Sequence, residues 1–414
     1  MPPHTEGPSK MPSSSSRLTL GFSSVAHTYS HMFVLFFATV VLVLEREWQV
    51  PYATLFAYSI PGAILFGLCA LPAGWLGDKW SATGMMAVFF IGTGAASIFT
   101  GLVDGPLGMG IGLGLIGIFA SIYHPVGIPW LVKNARNRGR ALGLNGVFGS
   151  LGTAIAAVTA GLLADLWGWR AAFIVPGAVC LATGLAFVVA LRAGAIIDSD
   201  ADVAPQPAPQ AGEIKRAFIV LAITITCIGL IYQAVSYSLP KVFQERLTDD
   251  IAGAGVLGIG GLVTVVYLVA AASQLIGGEL AERYRLKPVY VACLAAQPPV
   301  YLLAMVLFGP ALVPVVALML TLNVLGQPAE NALLARYTPL KWRGQVFGAK
   351  FVLSLGVSTI GLAVIPIIHS LTGSLDALFW VLAGAAAIAV AAALLLPGER
   401  WRDVTPVAVP AGDD

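Results

Sequence analysis

Residues 33–43 read FVLFFATVVLV, eleven residues in which one threonine hydroxyl is the only polar side chain. The stretch belongs to an apolar run covering about residues 18–43. Crossing a hydrocarbon core of roughly 30 Å takes about 20 residues of helix. Eleven further runs meet that length, with ends that shift by a few residues: 54–77, 84–103, 107–132, 141–164, 170–192, 215–240, 254–278, 288–309, 311–335, 344–368 and 375–397. In hydrocarbon the backbone N–H and C=O groups have no water to bond, so each run has to be a helix. The predicted fold class is therefore an all-α membrane protein with twelve transmembrane helices.

Composition agrees with this reading. The chain has 414 residues, 57% of them hydrophobic, a mean hydropathy of +0.85 and only 11% charged residues, whereas a soluble domain carries about a quarter charged. The net charge of +2 and the scattered basic residues exclude a nucleic-acid partner. Cys69, Cys180, Cys227 and Cys293 lie far apart inside apolar runs, without disulfide or metal spacing. The first 17 residues, rich in Pro and Ser, read as a disordered tail. The first span is too long for a signal-peptide core and lacks a small-residue cleavage site, so it is expected to stay.

Lys and Arg set the orientation. With both termini in the cytoplasm, 18 of the 23 basic residues fall on that side. Arg46, Arg170, Lys241 and Arg246 fall outside, and Lys350 lies within a span. The positive-inside rule then predicts a multi-pass inner-membrane protein with cytoplasmic ends.

The only long polar interruption is 193–214, containing APQPAPQAGE, which suits an extended cytoplasmic linker. It separates six spans (18–192) from six spans (215–397), with a cytoplasmic tail at 398–414. The halves match at a nearly constant offset. Gly74, Leu76, Asp78 and Lys79 fall on Gly278, Leu280, Glu282 and Arg283; Arg138, Gly139 and Gly143 fall on Arg343, Gly344 and Gly348; Phe173 falls on Phe379. Two six-helix bundles related by a pseudo-two-fold axis follow, a repeat known from one large class of transporters.

The loop after the second span, Gly74-Trp75-Leu76-Gly77-Asp78-Lys79-Trp80-Ser81-Ala82-Thr83, resembles the signature of the major facilitator superfamily, roughly G-x-L-x-D-[RK]-x-G-[RK]-[RK]. Its first half is intact; the second glycine and the trailing basic residues are absent. The second copy keeps Gly278, Leu280, Glu282, Arg283 and Lys287, and Asp165-Leu166-Trp167-Gly168-Trp169-Arg170 resembles the family's turn between helices five and six. The resemblance covers essentially the whole chain. It implies that Asp78 sits near the start of helix eleven and latches the halves on the cytoplasmic side, as a gate whose reorganisation biases one of two conformations. Taken without the family, a carboxylate in a short loop stabilises a helix N-terminus; a solvated, topology-setting turn is the plainer reading, and the recurrence of the pattern at matching positions favours the gate.

Ionisable groups within spans are costly and mark candidate sites. His27 and His31 lie one turn apart on one face of the first span, and the repeat sets Tyr232 and Ser236 against them, beside Gln233. These form either the polar lining of a central cavity, as the resemblance implies, or packing contacts in which each histidine bonds a neighbouring helix. Gln233 aligns with Thr28, off that face. Two histidines do not complete a metal site, and no metal or other cofactor is expected. Glu330 lies six residues before Arg336 and Lys350 seven after Arg343, so both sit about 9–10 Å deep on consecutive antiparallel helices. That depth permits a buried ion pair, structural or exchanging partners during transport. His124, in SIYHPVGIPW, adjoins prolines that free backbone carbonyls; it reads as a transport-site or a packing residue, echoed by Gln327-Pro328. Gly143, Gly146, Gly149 and Gly152 read as a packing stripe.

The expected function is a secondary transporter that moves a small organic solute by alternating access, with proton coupling supplied by His31, His124 or Glu330. Multidrug antiporters of this family carry an arginine in helix four where this chain has Leu113, and a Gly-Pro pair late in helix five where it has Gly152-Thr153. Both absences disfavour a standard drug antiporter, and the His-Pro pair is more similar to the fosmidomycin-resistance-like branch. A drug efflux permease is the alternative within the fold; a solute receptor or scaffold without flux is the alternative outside it. No nucleophile–base set argues for an enzyme, and no G-x-x-x-x-G-K-[ST] motif for a nucleotide. The expected partners are the solute, protons and the bilayer, with the monomer as the working unit.

Overall fold

The computed structural model describes residues 13–135, 138–197, 211–247, 255–338 and 343–398. Twelve apolar helices run through them: α1 (Ser14–Glu47), α2 (Tyr52–Lys79), α3 (Ala82–Leu102), α4 (Gly105–Asn134), α5 (Ala141–Trp167), α6 (Ala171–Arg192), α7 (Ile214–Leu247), α8 (Gly255–Arg283), α9 (Leu286–Val306), α10 (Gly309–Tyr337), α11 (Val346–Thr372) and α12 (Leu378–Leu394). Each coincides with one apolar run. Eleven are at least 18 residues long, and α12 is one residue shorter. No strand occurs among the described residues.

The first helix starts earlier than its apolar run. Ser15 is buried, and its Oγ accepts the Ile197 N–H at 2.9 Å, so the serine-rich turn is tied to the segment after α6. Helix therefore begins inside the expected tail. Residues 1–12 of that tail, 198–210 of the linker and 399–414 of the C-terminal tail lie outside the described residues.

The same pairings occur in each half. Helices α1 and α5, α2 and α4, and α3 and α6 pack together, as do α7 and α11, α8 and α10, and α9 and α12. The halves meet along α5 and α8, α2 and α11, and α1 and α7. Without a hydrophobic force between helices in lipid, close approach of small residues supplies the contact. A Cβ on Gly152 would overlap the Thr28 carbonyl of α1, and one on Gly260 would overlap the Ala157 carbonyl of α5. At the α2–α11 crossing, Gly67 faces Gly356. The packing stripe on α5 is thus shorter than expected: Gly149 and Gly152 touch α1, whereas Gly143 and Gly146 face open space.

The repeat also needs a one-residue adjustment. A Cβ on Gly74 would lie 3.1 Å from Pro125 on α4, and the glycine that meets Pro328 on α10 is Gly277. Gly278 has no neighbour within 4 Å. The packing equivalent of Gly74 is Gly277, one residue before its counterpart in the sequence motif.

Two arginines on the basic-poor side cap helix ends. Arg170 donates to the carbonyls of Gly101 and Val103 and pairs with Asp104 at 2.6 Å. Arg246 donates to the carbonyls of Ala304, Met305 and Leu307 and pairs with Asp376 at 2.5 Å. Each serves the C-terminal end of the third helix of its half, where orphan carbonyls need donors and the dipole favours a cation.

Overpacking a close helix crossing costs about 1–3 kcal/mol. Gly152→Val is accordingly expected to lower the melting temperature of the detergent-purified protein, and Gly143→Ala to leave it unchanged. Equal melting of wild type and Gly152→Val would mean that α1 and α5 do not meet there.

Candidate functional site

Both α4 and α11 depart from regular α-helix within their spans. Pro125 has no N–H to donate, and its turn, Tyr123–Gly127, widens to a π-helix. On α11 the turn Val352–Gly356 is also π. There Ser358 Oγ donates to the Leu353 carbonyl and, across to α7, to the Thr226 carbonyl, both at 2.8 Å. A side chain inserted into the carbonyl ladder is a sufficient cause for the break.

The α4 break turns His124 toward α1. Its ring centroid lies 5.1 Å from that of His31 and 5.4 Å from that of His27, and the two α1 rings are 5.1 Å apart. One ligand nitrogen from each of the three rings lies within 4.8 Å of the others. Two candidates that sequence places in separate constellations are therefore one cluster. His27 is fixed by Asn145 of α5, whose backbone carbonyl and Oδ1 stand 2.8 and 2.9 Å from its Nδ1. Tyr123 stacks on His27 and donates to the same Oδ1 at 2.9 Å, while Asn145 Nδ2 donates to Ser23. Sequence reasoning misses Asn145; an amide within an apolar span is the signal that could have found it. A Cβ on Gly149 would strike the His27 ring, so this glycine makes room for the cluster.

On the other half, Lys350 Nζ lies 2.8 Å from Glu330 Oε1 and 2.5 Å from Asn331 Oδ1. Tyr290 of α9 donates to Glu330 Oε2 at 2.7 Å. The carboxylate side chain is only 4% exposed, so its charge depends on these partners. Phe351, the residue after Lys350, packs on His124 with centroids 5.0 Å apart. The histidine cluster and the ion pair thus meet on α11, immediately before its π turn.

The α7 candidates lie elsewhere. Tyr232 donates to Thr153 of α5 at 3.2 Å, and Ser236 Oγ is 2.5 Å from the Tyr267 hydroxyl of α8. Gln233 is buried beside them. No hydrogen bond or ring contact joins these three to the histidines among the described residues, because α7 turns this face toward α5 and α8.

The two faces of the molecule differ. On the face away from the chain ends, Lys241 of α7 pairs with Glu45 of α1 at 2.7 Å and lies over the Tyr52 ring of α2. His369 of α11 packs against Tyr52 with centroids 4.9 Å apart and the rings tilted by 56°, and its Nε2 is 3.1 Å from Glu245 of α7. Asp165 of α5 accepts the Leu257 N–H at 2.7 Å, capping α8 across the halves. On the chain-end face, Asp78, Lys79 and Glu282 are exposed, and Arg283 pairs with Glu279 one turn back on its own helix. Asp78 makes no hydrogen bond or ion pair with a described residue, so the expected contact with the start of α11 is absent among them. The side chains of 343–345 lie outside the described set.

A profile of the Major Facilitator Superfamily matches residues 20–266, well over half of the chain. The chain belongs to the major facilitator superfamily. No curated protein sequence matches it. Its fold is similar to that of a bacterial homolog of the human lysosomal transporter Spinster, solved inward-facing and unoccupied. That match has a TM-score of 0.71 at 14% identity, covering 93% of this chain and 95% of the other. The D-xylose-proton symporter matches with a TM-score of 0.73 at 13% identity over 95% and 98% of the two chains. A peptide transporter in complex with sulfate matches at 0.70 and 15% over 92% and 93%. Identities this low speak for the fold alone; it is the family match that makes the chain a secondary transporter and not an enzyme.

Within that fold the Glu330–Lys350 contact carries a checkable energy. Removing one partner of a buried pair leaves an uncompensated charge and costs about 3–5 kcal/mol. Glu330→Gln and Lys350→Met are each expected to lower thermal stability, and the double variant to fall short of their sum by at least about 1 kcal/mol. Additive losses in this double-mutant cycle would show that the two charges do not act as a pair.

Proposed function

We propose that this member of the superfamily moves a small polar organic solute by alternating access and couples that movement to protons. One observation carries the reading: an ion pair and a three-histidine cluster meet on α11 between two halves whose one cross-half ion pair among the described residues, Glu45–Lys241, lies on a single face. A site bounded by both halves changes its exposure when the halves rock. Groups that gain or lose protons there supply a means of coupling, since intramembrane carboxylates and histidines form proton relays in transporters. The proton symporter and the peptide transporter among the structural neighbours are compatible with this reading.

The excess of Lys and Arg near the chain ends supports a cytoplasmic location for both termini. On that assignment the Glu45–Lys241 face is external, and the present conformation is open to the cytoplasm, in keeping with its likeness to an inward-facing neighbour. The loops around Asp78 and Glu282 would then engage in the opposite state, which accounts for their exposure here. His27, His31 and His124 form the N-terminal wall of the solute site. Glu330 and Lys350 form its coupling pair on the other side. Tyr232, Gln233 and Ser236 support α7 against α5 and α8.

Proteoliposomes loaded with a pH-sensitive dye and challenged with a panel of polar metabolites test this. At least one metabolite added outside is expected to change the internal pH with the wild type. The same solute is expected to give no pH change with Glu330→Gln, while labelled-solute exchange persists. Identical proton flux in wild type and Glu330→Gln would remove Glu330 from coupling. A bound solute that exchanges with neither protein would leave a receptor as the better reading.

A further inference from the structure

Three of the chain's five histidines converge on one point in the interior. Two of them, His31 and His124, make no hydrogen bond with any described residue, and His124 is 5% exposed. Of three rings gathered at one point, only His27 is held by a protein hydrogen bond among the described residues, which leaves ring nitrogens on His31 and His124 available to a further binding partner. His27 carries the other half of the pattern. With Nδ1 donating to the Asn145 carbonyl, its Nε2 keeps a lone pair. Histidines that ligate metals are held in this way, by a backbone carbonyl or amide on the second nitrogen that fixes tautomer and ring orientation.

We propose that His27, His31 and His124 together bind a divalent d-block cation of the Zn2+ type. Imidazole nitrogen suits zinc, copper, nickel and iron, and no oxygen-rich set suited to magnesium or calcium is part of this cluster. Zinc holds imidazole nitrogens at 2.0–2.1 Å, which places neighbouring donors about 3.4 Å apart in a tetrahedron. The nitrogens here lie within 4.8 Å of one another. Closing that gap takes about 1 Å of movement, within the reach of histidine χ2, a broad terminal torsion. The π turn at Tyr123–Gly127 brings His124 into range, and Gly149 leaves space for His27. His27 and His31 are half-buried, which leaves a path of entry.

Three protein ligands leave the fourth position open. No carboxylate or thiolate belongs to the cluster among the described residues, so the ion keeps its double charge. In a low-dielectric surrounding that charge requires a counter-charge. The open position therefore takes an anionic oxygen, either hydroxide or the carboxylate of a solute. The inference rests on the cluster's geometry and is independent of the transport reading, because its test measures binding to the purified protein.

Titration calorimetry of tag-free, chelator-treated protein in detergent with zinc chloride is expected to show one site. His31→Gln and His124→Gln are each expected to weaken it at least tenfold, His4→Gln to leave it unchanged, and magnesium not to compete. Should either cluster variant fail to fold, X-ray absorption at the zinc edge of the wild-type complex gives the answer directly. It is expected to count about three imidazole nitrogens at 2.0–2.1 Å. Absence of a stoichiometric site, unchanged affinity in both folded variants, or fewer than two imidazoles at the edge would overturn the proposal.

Discussion

Every backbone amide in the hydrocarbon has to find its partner inside the protein, and the rest of this structure follows from that requirement. It makes each apolar run a helix and confines irregular backbone to places where other groups can satisfy it. The π turns at 123–127 and 352–356 are among such places inside the spans. Pro125 removes a donor from the first, and the Ser358 hydroxyl enters the carbonyl ladder of the second. The histidine cluster and the Glu330–Lys350 pair sit against these two turns. Polar chemistry is thus found where the helical ladder has already been opened.

The contrast between the two faces has an equally simple origin. On one face oppositely charged residues from different halves meet: Glu45 with Lys241, while Glu245 and His369 pair beside them. On the other, the charged loops around Asp78 and Glu282 are exposed. An ion pair with little solvent around it is screened less by salt than an exposed pair, so the joined face holds the halves together while the other is free to part. Close glycine contacts run along α5 and α8, where Gly161 and Gly260 each meet backbone of the other helix, and Thr264 and Asp165 each bond across this seam. Such a seam suits rigid halves that tilt against one another.

The helices were legible because span length is dictated by the bilayer and apolar runs are unambiguous at that length. Family membership was legible in Gly74-Trp75-Leu76-Gly77-Asp78-Lys79. The depth argument placed Glu330 and Lys350 at one level, and the two side chains do meet. It could not reveal Tyr290 or Asn331 as their further partners, since hydrogen bonds between non-consecutive helices depend on how each helix is rotated. The same dependence kept His124 apart from His27 and His31, and set Tyr232 and Ser236 opposite the wrong neighbours. Glu45, Glu245 and His369 lie at span ends, where a charge carries no signal of its own. Their signal lay in the basic residues that broke the charge bias: Lys241 joins the halves, while Arg170 and Arg246 cap helix ends. The register of the repeat slipped by one residue between Gly277 and Gly278 because glycine identity is visible in sequence and glycine packing is not.

The central claim is that the Glu45–Lys241 ion pair on one face holds closed a molecule whose other face is free to close in its place. Electron–electron distance measurements on spin-label pairs test it most directly. One pair, at Lys79 and Tyr284, spans the halves on the chain-end face; the other, at Gln49 and Leu371, spans them on the opposite face. All four positions are exposed or partly exposed. Breaking the Glu45–Lys241 contact with Glu45→Gln in lipid nanodiscs is expected to lengthen the Gln49–Leu371 distance and shorten the Lys79–Tyr284 distance. Two distances that stay fixed, or that lengthen together, would contradict the account.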